Sequence, residues 1–471
     1  MCIRDRKKYS ILLTSLILAS SAFAQLGYGI SSASYAYHHG GNGRVLSSKE
    51  IVEEEIFNYH EHKIEGATYN DPIAISHAWG NELFNQSTDE VVLQLGIATH
   101  RAKDLGNIPS ANLSLVVDVS GSMSGEPLET SKEAMKEMVK QMRPSDHVSL
   151  VLFGNTVSVP FKSQKIGDKK KLLKEIDAIA INGSTNVHLG MLTGYEQVAS
   201  TFNRNGSNRV IVFTDAMANT GLIDPKQILA NTQVYINDID LTFIGIGMRF
   251  NQDFAREIKT KLRGHMHFVE DNREIKKLFK EEVEQFLTAP RGKKVKLTIE
   301  IPEQLSLNKF YGYHPSISGN RVEVELDDLQ GGLTQILMMK FNREPGKNEI
   351  DELKYEISFV DEYGQQASIA QTTDEIKVKK NKDGYEKLVD QEVKKNYAIV
   401  YMSSQLKEAS IAYEKDVDLE KYYQTLNQVL ATVDGKFDTL DEDLQYVHDL
   451  VSKQTNDEKK AEKEVLLADS F

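Results

Sequence analysis

Three oxygen-bearing side chains occur at alternate positions around residue 120. Asp118, Ser120 and Ser122 form the pattern D-x-S-x-S, which begins at the last residue of a largely apolar run of strand length at 113–118. Carboxylates and hydroxyls are hard oxygen donors, and without a thiolate or imidazole beside them they suit Mg²⁺ or Ca²⁺ better than zinc. Gly121 lets the backbone turn tightly enough to aim alternate side chains at one point. The pattern predicts part of a divalent-cation site.

Two further residues can complete this donor set. Thr185 lies in a Gly-Ser-Thr-Asn loop ahead of a helix-like segment. Asp215 lies at the end of a strand whose apolar residues are 210–213. A small divalent cation takes about six oxygens, so water or a carboxylate from another molecule is left for the sixth position. A plainer alternative, that D-x-S-x-S is only a helix N-cap, leaves Thr185 and Asp215 unexplained. The candidate metal ligands are Asp118, Ser120, Ser122, Thr185 and Asp215.

These side chains need strands that end at one edge of a sheet. Short apolar runs alternate with amphipathic segments through residues 112–288, which is typical of a doubly wound, mostly parallel, Rossmann-like α/β domain. Ligands of such sheets bind at the carboxyl ends of the strands, where Asp118 and Asp215 lie. The predicted strands are 113–118, 147–153, 209–215 and 241–247, and the predicted helices are 126–142, 168–179, 187–202, 225–236 and 252–262.

The segments on either side of this domain have the two-residue period of antiparallel strands. The later group, in 293–380, predicts a β-sandwich, and we expect the earlier strands, in 49–111, to pair with it, so that the α/β domain is an insertion. From residue 385 to 471 the pattern is helical, with a break near Asp434. The predicted flanking strands are 73–77, 91–98, 294–300, 321–326, 335–341, 353–360 and 375–379.

The amino-terminal residues predict export. Basic residues at 4–8 precede an apolar run at 11–22 and an Ala-Phe-Ala cleavage signal, the pattern of a secretory signal peptide at 1–24. The apolar run is shorter than the roughly 17 residues of a membrane span; the alternative is an uncleaved tether. Residues 25–48 predict a flexible lead-in. Because the only cysteine, Cys2, falls in the removed segment, the mature chain is best explained as a disulfide-free bacterial protein of the periplasm, cell surface or medium.

The candidate site resembles the metal-ion-dependent adhesion site of the von Willebrand factor type A family. The resemblance rests on D-x-S-x-S at 118–122, on Thr185 and Asp215, and on the order of strands and helices around them. It implies that the two serines and Thr185 contact the ion, Mg²⁺ or else Mn²⁺ or Ca²⁺, while the two aspartates act largely through waters. Ala216 departs from the family, which often has glycine there; this changes a loop and not a ligand.

The resemblance extends beyond the site. Residues 57–59 and 309–313 are similar to those of a bacterial secreted group related to inter-alpha-trypsin inhibitor heavy chains and to chloride-channel-like proteins. The channel label does not transfer, because no later segment is long enough to span a membrane. In related adhesion domains a rearrangement at the metal site is coupled to movement of the final helix, and the resemblance implies the same for 273–287.

Divalent-cation-dependent protein binding is the function that these features favour. The metal would accept an Asp or Glu carboxylate from a protein ligand. The alternative is a structural or assembly factor of a cell-envelope complex, in which the metal only stabilises the loops. A metal-assisted hydrolase is disfavoured because the site lacks an evident general base, and His188 is better explained as a helix-surface residue. With 56 Lys+Arg against 69 Asp+Glu the net charge is −13, which disfavours a nucleic-acid partner.

Overall fold

The structure is a computed structural model. The predicted signal peptide, most of the lead-in, the predicted helix at 252–262 and all but the last residue of 273–287 lie outside the residues that it describes. It describes residues 45–64, 66–68, 71–81, 90–101, 109–204, 206–215, 220–232, 235, 239–246, 265–269, 287–288, 290–344, 349–377, 390–435 and 441–455.

A six-stranded sheet forms the centre of the α/β domain. Its order is β5-β4-β3-β6-β7-β8, and every neighbouring pair is parallel except β4 with the edge strand β5. The predicted mostly parallel sheet is therefore confirmed, with β3 at the point where the strand order reverses. The strands are β3 Asn112–Asp118, β4 His147–Phe153, β5 Val157–Lys165, β6 Asn208–Thr214, β7 Asp240–Ile246 and β8 His265–Val269.

Helices cover both faces of this sheet because its strands are apolar on both sides. Along β3, Leu115 packs into the core shared with α2 and α3, whereas its neighbour Val116 packs into the core shared with α4 and α5. Burial of both faces favours parallel strands with helical crossovers. The helices are α2 Glu126–Gln141, α3 Lys170–Asp177, α4 Val187–Ser200 and α5 Pro225–Thr232.

Two antiparallel sheets with a common apolar core form the predicted β-sandwich. One has the order β1-β2-β13-β10 and the other β11-β12-β9-β15-β16. Strand β2 precedes the α/β domain, yet it pairs with β13, which follows that domain. The chain therefore leaves and re-enters the sandwich, as the sequence predicts. The strands are β1 Ile73–Trp79, β2 Glu90–Thr99, β9 Gly292–Glu300, β10 Leu305–Phe310, β11 Ser316–Ser318, β12 Arg321–Glu325, β13 Thr334–Arg343, β15 Lys354–Asp361 and β16 Gln366–Thr372, with a separate pair β14 Glu349–Ile350 and β17 Ile376–Lys377.

Carboxyl-terminal helices cover the outer face of the four-stranded sheet. They are α6 Gln391–Asp416, α7 Leu419–Asp434 and α8 Glu442–Lys453, and they share a core with α1 Glu53–Phe57. Leu46 is fully buried in that core, and Ser48 donates its backbone N–H to Glu414 Oε1 at 2.6 Å. Leu46 and Ser48, in the last part of the predicted lead-in, therefore contact the helical region. Within the described residues, no helix is long and apolar enough to cross a membrane.

Two buried histidines lie where the residues after α1 meet these helices. The His60 and His62 rings are 4.4 Å apart. His60 Nε2 is 3.6 Å from Asp443 Oδ2, and His62 Nε2 is 3.0 Å from Asn58 Oδ1. Burial lowers the pKa of both imidazoles, that of His62 to about 3, and the nearby Lys395 charge acts in the same direction. Both rings are therefore neutral in the folded protein near pH 7.

We expect this histidine pair to make folding sensitive to acid. Below about pH 6.5 the unfolded chain binds protons that the folded chain does not, so the stabilisation is complete above that pH and is lost as the pH falls toward 3. The loss is about 1.4 kcal/mol per pH unit for each histidine.

Urea unfolding of the parent and of the double variant His60→Gln, His62→Gln between about pH 7 and pH 4 measures this loss. The raised pKa of Asp443 acts in the opposite direction and is present in both proteins. The free energy of unfolding should fall more steeply with pH in the parent. Equal slopes would contradict the prediction.

Candidate functional site

Strand β3 places Asp118 at the carboxyl edge of the sheet. All seven of its residues are buried, and it is hydrogen-bonded to β4 on one side and β6 on the other. Asp118 is 0% exposed. Its Oδ1 accepts the backbone N–H of Ser120 at 2.9 Å, and its Oδ2 accepts the Thr214 hydroxyl at 2.7 Å. One oxygen is thus oriented by the turn after β3 and the other by the last residue of β6.

The turn after β3 brings the two serine hydroxyls together. A single 3₁₀ turn at Gly121–Met123 follows the strand. Ser120 is 1% exposed, whereas Ser122 is exposed, and their Oγ atoms are 3.0 Å apart. The pair of hydroxyls therefore reaches from the buried carboxylate to the surface.

Backbone hydrogen bonds join this turn to the loop that carries Thr185. Gly121 N–H donates to the Gly183 carbonyl at 2.9 Å, and Asn182 N–H donates to the Val119 carbonyl at 2.6 Å. Gly183 has φ +83°, and a Cβ there would lie 2.0 Å from Asn155 Nδ2, so only glycine allows this approach. Thr185 is 1% exposed and directly precedes Asn186, the N-cap residue of α4.

The loop after β6 reaches the same place. Asp215 is 3% exposed and follows β6, the neighbour of β3. Beyond it, Thr220 N–H donates to the Thr185 carbonyl at 3.2 Å. The structure thus places the five predicted ligands at one edge of the sheet: Asp118 at the end of β3, and the other four in the turn after β3, in the loop before α4 and directly after β6. Their role as metal ligands stays a prediction.

The electrostatics of the site suit a cation. Burial raises the pKa of Asp118 to about 6, and the charge of Asp215 adds to the rise, while hydrogen bonds from Thr214 and Ser120 oppose it. The charged carboxylate is therefore poorly solvated, and a nearby cation would stabilise it. Among the described residues, no group of three or more His, Cys, Asp or Glu could hold a metal. An ion here would depend on hydroxyl oxygens, which Mg²⁺ and Ca²⁺ accept.

Two residues outside the predicted set, Thr214 and Asn155, shape the site. Thr214 orients Asp118, and Asn155 Oδ1 accepts both the backbone N–H and the hydroxyl of Ser184, at 2.8 and 2.7 Å. The sequence signals were weak: Thr214 directly precedes Asp215, and Asn155 follows β4 in a Gly-Asn turn. His188 is half-buried, burial lowers its pKa, and its Nε2 has no hydrogen-bond partner in the described part of the chain.

Comparison with known proteins identifies relatives of the α/β domain. Residues 112–281 match the sequence model of the von Willebrand factor type A domain. The chain is 27% identical over 256 residues to the uncharacterized protein YfbK of Escherichia coli (strain K12), which covers 53% of this chain and 44% of YfbK. It is 28% identical over 163 residues to inter-alpha-trypsin inhibitor heavy chain H3 of Homo sapiens, covering 32% of this chain and 18% of that protein. The chain therefore spans less than half the length of these relatives.

A solved structure extends the likeness in fold beyond the α/β domain. The von Willebrand factor type A protein from Catenulispora acidiphila superposes with a TM-score of 0.53 at 15% identity, over 78% of this chain and 87% of that one. At this identity the likeness shows the fold alone. The predicted resemblance of this domain to the von Willebrand factor type A family and the predicted α/β fold are confirmed, while the metal site and the bacterial origin stay predictions.

The close contact at Gly183 yields a stability test. Gly183→Ala should lower the free energy of unfolding by about 2 kcal/mol or more, because the new Cβ meets Asn155 in addition to the strain of a positive φ. The matched control is Gly167→Ala, where φ is +59° and nothing lies within 4 Å of the added Cβ. That variant should lose only about 1 kcal/mol. Equal losses in urea unfolding would show that the Gly183 loop relaxes freely.

Proposed function

We propose a function from the premise that residues 112–281 form a von Willebrand factor type A domain. Domains of this family are typically protein-interaction or adhesion domains, and relatives of this chain are generally non-enzymatic. The chain is accordingly a divalent-cation-dependent protein-binding protein, whose ion accepts a partner carboxylate. One observation supports this most: a fully buried carboxylate, Asp118, stands beside two hydroxyls 3.0 Å apart, of which the outer one is exposed.

The ligand set follows from this geometry together with the family pattern. Ser120, Ser122 and Thr185 would contact the ion, Mg²⁺ or else Mn²⁺ or Ca²⁺, while Asp118 and Asp215 would act through waters. Neutral hydroxyls leave most of the ion's charge uncompensated, so the ion supplies attraction for an incoming carboxylate. The exposure of Ser122 gives a partner access to this side of the site.

A second role is supported by the bonds between the loops. The turn after β3 and the Thr185 loop are already joined through backbone groups, so an ion could serve mainly to stiffen them inside a cell-envelope assembly. Binding of the partner would then survive removal of the ion. For either role we propose export to the periplasm or beyond, on the signal-peptide pattern of residues 1–24.

Metal binding should stabilise the folded protein. At an ion concentration a hundred times Kd the gain is about 2.7 kcal/mol, because the ion binds only the folded state. Ser122→Ala should reduce the Mg²⁺-dependent rise in Tm, since it removes one proposed ligand. Ser124→Ala is the matched control, because Ser124 is also exposed and lies two residues further along. If both variants respond to Mg²⁺ as the parent does, the ligand assignment is wrong.

Partner capture separates the two roles. Protein captured from envelope extract by the purified chain should be released by chelator and lost in Thr185→Ala. In the captured protein, changing the critical Asp or Glu to Asn or Gln should remove the charge-assisted contact and most of the affinity. Capture that resists both chelator and these substitutions would support the structural role instead.

A further inference from the structure

The loops around the candidate site are poor in charge. Charged residues make up 27% of the chain, so loops at a surface are expected to carry several. At the end of β3, in the turn after it, in the Thr185 loop, in the first half of α4 and in the described residues between β6 and α5, the charged residues are Asp118, Asp215 and the exposed Asp224, which directly follows Ile223. The segments without Asp, Glu, Lys or Arg are 119–125, 154–156, 178–195 and 220–223.

Three large apolar side chains on these segments are exposed. Ile181 is 38% exposed, Leu189 40% and Ile223 56%. Soluble proteins keep such residues mainly as isolated cases unless they form a binding surface. We call these three side chains the apolar rim.

Backbone contacts place the apolar rim beside the proposed ligands. Ile181 precedes Asn182, whose N–H donates to the Val119 carbonyl between Asp118 and Ser120. Leu189 lies in the first turn of α4, and its N–H donates to Oδ1 of the N-cap residue Asn186 at 3.1 Å. Asn186 directly follows Thr185.

Ile223 reaches the same place through Gly221. A Cβ on Gly221 would lie 2.5 Å from the Asn186 amide, so the chain just before Ile223 runs along the start of α4. The apolar rim is therefore carried by the segments that flank Thr185 and the turn after β3.

We propose that the apolar rim selects a protein segment in which one Asp or Glu is flanked by uncharged, apolar residues. This rests on the proposed function, because capture of the carboxylate brings the segment to the rim. An acidic flanking residue would lose hydration against this surface without gaining a partner, and a basic one would meet Asp224 only at the margin of the apolar rim, beside Ile223. Apolar flanks bury area against the three side chains, and the water they exclude strengthens the attraction between ion and carboxylate.

Selection from a peptide library tests this directly. The library carries a fixed central Asp with random residues on both sides, is bound to the full chain in Mg²⁺ and is eluted with chelator. Leu, Ile, Val and Phe should be enriched beside the Asp, and charged residues depleted. If Mg²⁺-dependent peptides carry charged flanking residues as often as the unselected library does, this inference is wrong, while the proposed function stands. If no peptide depends on Mg²⁺, the proposed function fails, and the inference with it.

Rim variants provide the second measurement, on a synthetic copy of the enriched peptide. Leu189→Ser and Ile223→Ser should each weaken binding by about 5- to 10-fold and keep the Mg²⁺-dependent rise in Tm. Ile317→Ser is the matched control, because Ile317 is 61% exposed but lies on β11 of the sandwich; its peptide affinity should equal that of the parent. Unchanged affinity in both rim variants would contradict the proposal.

Discussion

The burial of one carboxylate is the constraint on which the carboxyl edge of the α/β sheet depends. Asp118 is removed from water at the end of β3, and an ionised group in such a place is costly unless hydrogen bonds and opposite charge compensate it. Ser120 and Thr214 supply the hydrogen bonds. The cation proposed for this edge would compensate the charge that these hydrogen bonds leave.

The opposite edge of the sheet is anchored to the sandwich. Arg209 lies at the amino end of β6 and is 1% exposed. Its Nη2 is 3.4 Å from Asp240 Oδ2 and 3.5 Å from Gln330 Oε1. Lys293 of the sandwich lies 3.4 Å from the other oxygen of Asp240. Desolvation offsets much of the attraction in a buried ion pair, but separation of the partners would leave an uncompensated buried charge, so these contacts hold the domain against the sandwich. Because β3, β6 and β7 are parallel, this anchor leaves the loops of the candidate site at the far edge, where a partner can reach them.

Sequence reasoning succeeded where burial imposes a pattern. Strands β3 and β6 are buried along their whole length, so they read as apolar runs. Strands β5 and β16 were not predicted from the sequence, because both are largely exposed edge strands in which polar residues interrupt the apolar ones. The types and spacing of the five candidate ligands were evident from the sequence. Their positioning by Thr214, Asn155 and Gly183 was not, because contacts between loops far apart in the chain leave no local periodicity.

Anomalous X-ray diffraction from crystals grown with Mn²⁺ tests the central claim most directly, because it locates the ion without assuming its ligands. The proposed function predicts one strong anomalous peak within coordination distance of the Ser120, Ser122 and Thr185 hydroxyls. A peak elsewhere, or none at this edge of the sheet at saturating Mn²⁺, would contradict the claim that this edge is a divalent-cation site.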